Sequence, residues 1–126
     1  MQMTKVFSPD AIPAGGHYSQ AISAGGMIYI SGQLGISKFD DPTDSVHIQV
    51  HRVLNSLKEI LAVRGADIAS VAKVTIYVTD IKLWPEIDAI YSDFFANHKP
   101  ARAIVPVPEL HYGAKIELEA IAIDTQ

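Results

Sequence analysis

Arg102 follows Pro100-Ala101 at a junction between a loop and an apolar stretch, where a rigid scaffold can aim a guanidinium at a carboxylate through two parallel hydrogen bonds. The same residue would serve equally well as an ion-pair partner for Glu117 or Glu119. Glu117 lies on the polar side of a C-terminal alternating segment, in which Lys115, Glu117 and Glu119 oppose Ile116, Leu118 and Ala120. There it could orient or deprotonate a water, given hydrogen-bond reach and a suitable pKa, or stand as a solvated acid.

Other chemistries have less to work with. His47 and His51 are spaced i, i+4, but the segment His47-Ile48-Gln49-Val50-His51 lacks the glutamate of a His-Glu-x-x-His site, so they read as solvated helix histidines and no metal is expected. Gly15-Gly16 and Gly25-Gly26 have neither dinucleotide-binding nor phosphate-loop spacing and read as turns. No Gly-x-Ser-x-Gly elbow surrounds Ser19, Ser23 or Ser31, which leaves serine hydrolysis without a motif. The absence of cysteine removes thiolate nucleophiles, disulfides and cysteine-ligated zinc. Tyr18 and Trp84 could wall a pocket or simply pack at element ends.

These residues must be positioned by the elements around them. Met27-Ile28-Tyr29-Ile30, between Gly25-Gly26 and Ser31-Gly32, predicts a strand that ends in a permissive loop, with Tyr18 to Ser23 as its hairpin partner. Val46, Val50, Val53, Leu54, Leu57, Ile60 and Leu61 form the stripe of an amphipathic helix, capped by Asp44 or Ser45 and ended by Gly65. Val71 to Thr79 alternates as a strand, Pro85 to Ala96 has helical spacing, and strands around Arg102 to Val107 and Ala114 to Ile123 complete the order β-β-α-β-α-β-β. Two helices bury one face of a sheet, so its other face must be polar or covered by another subunit.

At 126 residues, 48% apolar and 19% charged, the chain has the length and composition of one α+β domain spanning 1–126. A net charge of −4 with ten scattered Lys and Arg argues against a nucleic-acid partner. Met1 to Val6 carries one Lys and no apolar run, and no window approaches a membrane span, so the sequence predicts an intracellular, cytoplasmic chain with no membrane partner.

Four segments, Tyr18-Ser19-Gln20-Ala21, Ile30-Ser31-Gly32-Gln33, Pro100-Ala101-Arg102 and Ile116 to Ala122, together resemble the RidA/YjgF family of enamine/imine deaminases in order and spacing across nearly the whole chain. The resemblance implies a chorismate-mutase-like α+β fold, with a mixed sheet and two helices on one face. It also implies a homotrimer in which the uncovered sheet faces meet and clefts lie between subunits. The activity implied is cofactor-independent hydrolysis of reactive 2-imino or 2-enamino acids, of the 2-iminobutanoate/2-iminopropanoate type, to 2-oxo acids and ammonia.

On this implication Arg102 would hold the substrate carboxylate and Glu117 would orient the hydrolytic water. Tyr18, Ser31 and Gly32 would shape the cleft, and backbone groups near Ala103 and Ile104 would bind the imine and its attacking water. The chain departs from the family pattern at Gly16-His17-Tyr18, where Gly-Pro-Tyr is usual, and at Ile104, where Cys is common. It departs also in a shorter Ala96 to Lys99 loop and at Asp88, often Asn, where an acid lining the substrate site would repel a carboxylate or favour a cationic substrate. Three alternatives stand beside deamination: a noncatalytic module that binds small carboxylates and regulates a partner, a deaminase acting on a longer unsaturated amino acid, and an endoribonuclease. The acidic charge and scattered basic residues weigh against the last.

Overall fold

Alternating and helical periodicities resolve into a mixed sheet covered on one side. The computed structural model describes residues 2–126. Its strands are β1 (Met3–Val6), β2 (Ala21–Ala24), β3 (Met27–Leu34), β4 (Val71–Val78), β5 (Ala101–Pro106) and β6 (Ile116–Ile123), and its helices are α1 (Val46–Val63) and α2 (Trp84–Phe95). The strand order is β1-β2-β3-β6-β4-β5. Every pairing is antiparallel except β4 with β5, which run parallel and are joined through α2, because a parallel pair needs a crossover rather than a tight turn.

Periodicity gives no sign of β1. Only Val6 of its four residues is buried, and the strand exists by pairing with β2, Val6 opposite Ala21 and Met3 opposite Ala24. The element order is therefore β-β-β-α-β-α-β-β, one strand more than the periodicity predicts.

Both helices lie on one sheet face and share one core with it. The α1 residues Val50, Val53, Leu54, Leu57, Ile60 and Leu61 and the α2 residues Ile87, Tyr91 and Phe95 pack with Ile28, Ile30, Val74, Ile76, Ile116 and Leu118 of the strands. Each fully buried aliphatic side chain contributes about 1.5–3 kcal/mol. Ser45 caps α1, its Oγ accepting from the Ile48 amide at 3.3 Å, whereas Asp44 is drawn to Arg52 at 2.8 Å. Gly65, at φ +68°, takes the left-handed turn that ends the helix.

Two polar residues on the buried side of α1 lock it to the strands. The Gln49 side chain accepts from the Lys115 amide at 2.8 Å and donates to the Asp44 carbonyl at 2.8 Å. The Ser56 hydroxyl donates to Gln33 Oε1 at 2.6 Å and accepts from the Ile12 amide at 2.9 Å. Such bonds remove the penalty of burying polar atoms and fix register besides.

The opposite sheet face carries Tyr29, Thr75, Tyr77, Glu117, Glu119 and Ile121, and no helix among the described residues packs over it. Tyr77 donates to Glu119 Oε1 at 2.7 Å across the β4/β6 pair. Tyr29 and Ile123 on this face are about half exposed, at 48% and 52%.

Candidate active site

Ser31 and Gly32 sit where β3 departs from regular pairing. Ile30 opposes Ala120 and Gln33 opposes Leu118, so the register shifts between them, a bulge of the kind that re-aims side chains and backbone at a strand. Buried polar groups hold that bulge: the Ser31 amide donates to the Gln20 carbonyl at 3.0 Å, its hydroxyl to the Ser19 carbonyl at 2.6 Å, and Gln33 Nε2 to the Ser31 carbonyl at 2.9 Å. Gln20 in turn accepts from the Ser8 amide at 2.7 Å and donates to the Ile12 carbonyl at 3.0 Å. The glutamines of both N-terminal motifs thus act as braces.

Glu117, next on β6, lies directly against the bulge. A Cβ on Gly32 would stand 2.9 Å from Glu117 Cδ, so only glycine lets the carboxyl approach the β3 backbone this closely. The half-buried carboxyl has its pKa raised, chiefly by burial and further by the charge of Glu119, with His111 opposing. It faces a cavity of about 420 Å³ walled also by Tyr18, Ser31, Gly32, His111 and Tyr112. Tyr18 holds its place there by accepting from the Gly15 amide at 3.2 Å. A carboxyl whose pKa is raised, beside hydroxyl and backbone groups, can orient and deprotonate a water.

Arg102 occupies a different cavity, of about 430 Å³, formed with Asp88, Tyr91, Phe95, His98 and Lys99. The parallel register puts Arg102 beside Val74 and Ile104 beside Ile76, on the helix-covered face. The guanidinium carbon lies 4.8 Å from the Trp84 ring centroid and 4.9 Å from that of Tyr91, a stacking that fixes the plane of the fork. Nη1 donates to Asp88 Oδ1 at 3.0 Å. The buried Tyr91 hydroxyl has no well-aligned hydrogen-bond partner among the described residues, and its pKa is raised mainly by burial, which the adjacent Arg102 guanidinium partly offsets by its charge and a weak polar contact.

The chain by itself therefore brings Tyr18, Ser31, Gly32 and Glu117 together, and Arg102 with Asp88, but leaves the two groups on opposite faces of the sheet. Arg102 has Asp88 as its ion-pair partner, which corrects the alternative reading that would pair it with Glu117 or Glu119. The cause is that residues 102 and 88 share the helix face while both glutamates point to the open one. Ala103, beside Thr75, faces the open side, and Ile104 packs against the core. Neither side chain lines the Glu117 cavity or the Arg102 cavity. Their backbone is another matter: the Val107 amide donates to the Val78 carbonyl at 2.8 Å, so by alternation the polar groups of Ala103 face β4 and the Ile104 N–H faces the free edge of the sheet.

His47 and His51 are exposed, their rings 4.6 Å apart, and the described residues contain no cluster of three or more metal-ligating side chains. Sequence reasoning missed Tyr91, His111 and Tyr112. Tyr91 was visible only as one more apolar position of α2, and His111 and Tyr112 only as parts of a connection. No helix among the described residues is long and apolar enough to cross a membrane.

Residues 8–124 match the sequence profile described as Endoribonuclease L-PSP. Over 126 aligned positions the chain is 37% identical to the 2-iminobutanoate/2-iminopropanoate deaminase of Rattus norvegicus, covering 94% of this chain and 89% of that one. It is 40% identical over 123 positions to Reactive Intermediate Deaminase A, chloroplastic, of Arabidopsis thaliana, covering 94% and 65%. The crystal structure of E. coli TdcF with bound serine matches with a TM-score of 0.88 at 29% identity, covering 95% of this chain and 98% of that chain. With the fold, the braced Ser31-Gly32 bulge and these likenesses in agreement, the chain belongs to the RidA/YjgF family.

Proposed function

We propose that this protein hydrolyses reactive 2-imino or 2-enamino acids to 2-oxo acids and ammonia, without metal or cofactor, in a cytoplasmic homotrimer. The observation that carries the reading is that each half-site lacks what the other has. The Glu117 cavity holds an acid with a raised pKa but is not lined by an arginine, while the Arg102 pocket holds a stacked guanidinium whose nearest carboxylate, Asp88, is committed to an ion pair with it. The open sheet face, with Tyr29 and Ile123 half exposed, gives a second copy somewhere to dock. Docking would set Arg102 of one copy opposite Glu117 of another.

In the assembled site Arg102 binds the substrate carboxylate, and its planar fork limits the orientations the imine can adopt. The outward Ile104 N–H and the bulge at Ser31-Gly32 contact the reacting atoms. Glu117 takes a proton from the water as its oxygen adds to the C=N carbon. Serine bound to TdcF is a small amino acid of the same size and charge class as the proposed substrates, and two relatives are named as deaminases. The ribonuclease description of the family profile fits this chain less well, since its net charge is −4 and phosphate binding draws on clustered basic residues.

The test follows decay of imino acids generated in situ by an amino-acid oxidase or dehydratase, with a scavenger reporting the imine that remains. Faster decay with wild type, lost in Arg102→Ala and Glu117→Ala, supports the reading. No acceleration across small, aliphatic, aromatic and acidic substrates would sink it. The Asp88 contact with Arg102 favours a second reading, ligand binding without turnover, which calorimetry with 2-oxo acids on a catalytically silent protein would reveal.

A further inference from the structure

The connection before β6 contains a strained turn with chemistry on it. Tyr112 sits at φ +61°, ψ +17° and Gly113 at φ +73°, two successive left-handed residues of which the first is not glycine and carries a steric cost. Strain of this kind persists only where the flanks are over-determined. Here they are: the Ala114 amide donates to the His111 carbonyl at 3.1 Å, Ala114 is buried, and the Lys115 amide is tied to Gln49 at 2.8 Å. The turn delivers His111 and Tyr112, whose ring centroids are 5.9 Å apart, into the wall of the cavity that holds Glu117.

Imine hydrolysis needs one proton taken from the attacking water and another delivered to the leaving nitrogen. After water adds, the carbinolamine cannot expel its nitrogen as an amide ion, so that nitrogen must be protonated before the C–N bond breaks. We propose that His111 is the second proton-transfer group of this site, giving the leaving nitrogen its proton while Glu117 serves the water. The inference rests on the deaminase reading.

The step balances as follows. Water adds to the iminium carbon, its proton goes to the Glu117 carboxylate, and the C=N electron pair moves to nitrogen. The His111 imidazolium then protonates the amino group of the carbinolamine. The C–N bond breaks toward nitrogen, the hydroxyl O–H pair forms the C=O bond, and the hydroxyl proton returns to the neutral imidazole. Ammonia leaves with the 2-oxo acid, and the proton on Glu117 passes to solvent or to the ammonia. Imidazole suits this duty because one ring can both donate and accept a proton. His111 is solvent-exposed, so it can recharge from water.

The groups around it are Glu117 on β6, Tyr18 from the loop before β2, Lys38 from the loop after β3, and Tyr112 on its own turn, all on the same cavity, with Glu109 two residues upstream. Glu117 registers the charge of His111, which acts to lower its pKa.

The experiment compares the pH dependence of kcat for wild type, His111→Asn and His111→Ala in the imine-decay assay, with circular dichroism to check folding. The expected result is a kcat about 100-fold lower in both variants, the size of a lost acid/base group. KM should change little, the alkaline fall of kcat should vanish, and added imidazole should partly restore His111→Ala above the uncatalysed background. Rescue separates proton transfer from support of the turn, which a free ring cannot supply. Variants that keep wild-type kcat and the same alkaline limb overturn the proposal, as does an impaired His111→Ala that imidazole leaves unchanged. An inactive wild type overturns the deaminase reading itself, and this inference falls with it.

Discussion

Replacing Asp88 by Asn should tighten the binding of imino acids whose only charge is their carboxylate. Asp88 Oδ1 accepts from Arg102 Nη1 at 3.0 Å, and the two side chains are 41% and 33% exposed. A substrate carboxylate seated on the same guanidinium would lie about 5 Å from the Asp88 carboxylate, a repulsion of about 0.8 kcal/mol in water and about 3 kcal/mol at an effective dielectric constant of 20. With both side chains a third or more exposed, the lower part of that range applies, which corresponds to a four- to tenfold effect at about 1.4 kcal/mol per tenfold. Asn keeps the size and an oxygen that accepts from Nη1, so the orientation of the fork survives while the charge goes. KM should therefore fall by about four- to tenfold with kcat nearly constant, the signature of improved uniform binding. The gain should shrink with added salt. A substrate with a cationic side chain should respond in the opposite sense and bind Asp88→Asn more weakly. The assay is imine decay at varied substrate and two ionic strengths. A KM that rises in Asp88→Asn for the simple carboxylate would refute the reasoning, because it would mean that Asp88 helps to build the anion site rather than competing for it.

Three further outcomes are expected. Glu117→Gln should unfold at higher temperature than wild type near neutral pH: with its folded pKa raised by burial, protonation of Glu117 favours the folded state, and wild type loses that stability as pH rises through the raised value. The difference between the two melting temperatures should close as pH falls below the ordinary carboxylate range. Gly32→Ala should leave stability nearly unchanged, because the side chain it meets, Glu117, ends in a mobile carboxyl that can swing away, yet kcat should drop at least tenfold as that carboxyl leaves its place, a rough figure from losing a positioned base. Gly35→Ala meets Gln49 Cβ at 2.7 Å and Ile116 Cγ2 at 2.9 Å, neither of which can yield without moving α1 or β6, so chemical denaturation should show a loss of about 1–3 kcal/mol or more.

The parts of the fold governed by local periodicity were legible in advance. The α1 stripe from Val46 to Leu61, the alternation of Val74, Ile76 and Val78, and the opposed sets on β6 all became the faces expected of them. What could not be read required two segments at once. Gln49 and Ser56 lie on the buried side of α1, and their partners, Lys115 and Gln33, are 66 and 23 residues away, so no window of helix contains the reason for them. The acids that sequence offered as alternative partners of Arg102 were the glutamates of β6, but the parallel register of β5 on β4 turns the guanidinium to the side of α2, where Asp88 lies 14 residues upstream. For the site, the motif residues Tyr18, Ser31, Gly32 and Glu117 converge as one group, whereas the role of His111 and Tyr112 depends on a backbone turn that polarity patterns do not encode.

The proline that closes β5 bears on how this chain behaves when it is crowded. Along the outer rim of the sheet the Ile104 N–H is free, but the next outward position is Pro106, which has no N–H to offer. A foreign strand that paired along this rim would meet the outward N–H groups of Arg102 and Ile104 and then none at Pro106, and a ladder that cannot extend gains little toward nucleating an aggregate. This rim can thus keep the Ile104 donor available for a small ligand while Pro106 stops a foreign strand from extending along it.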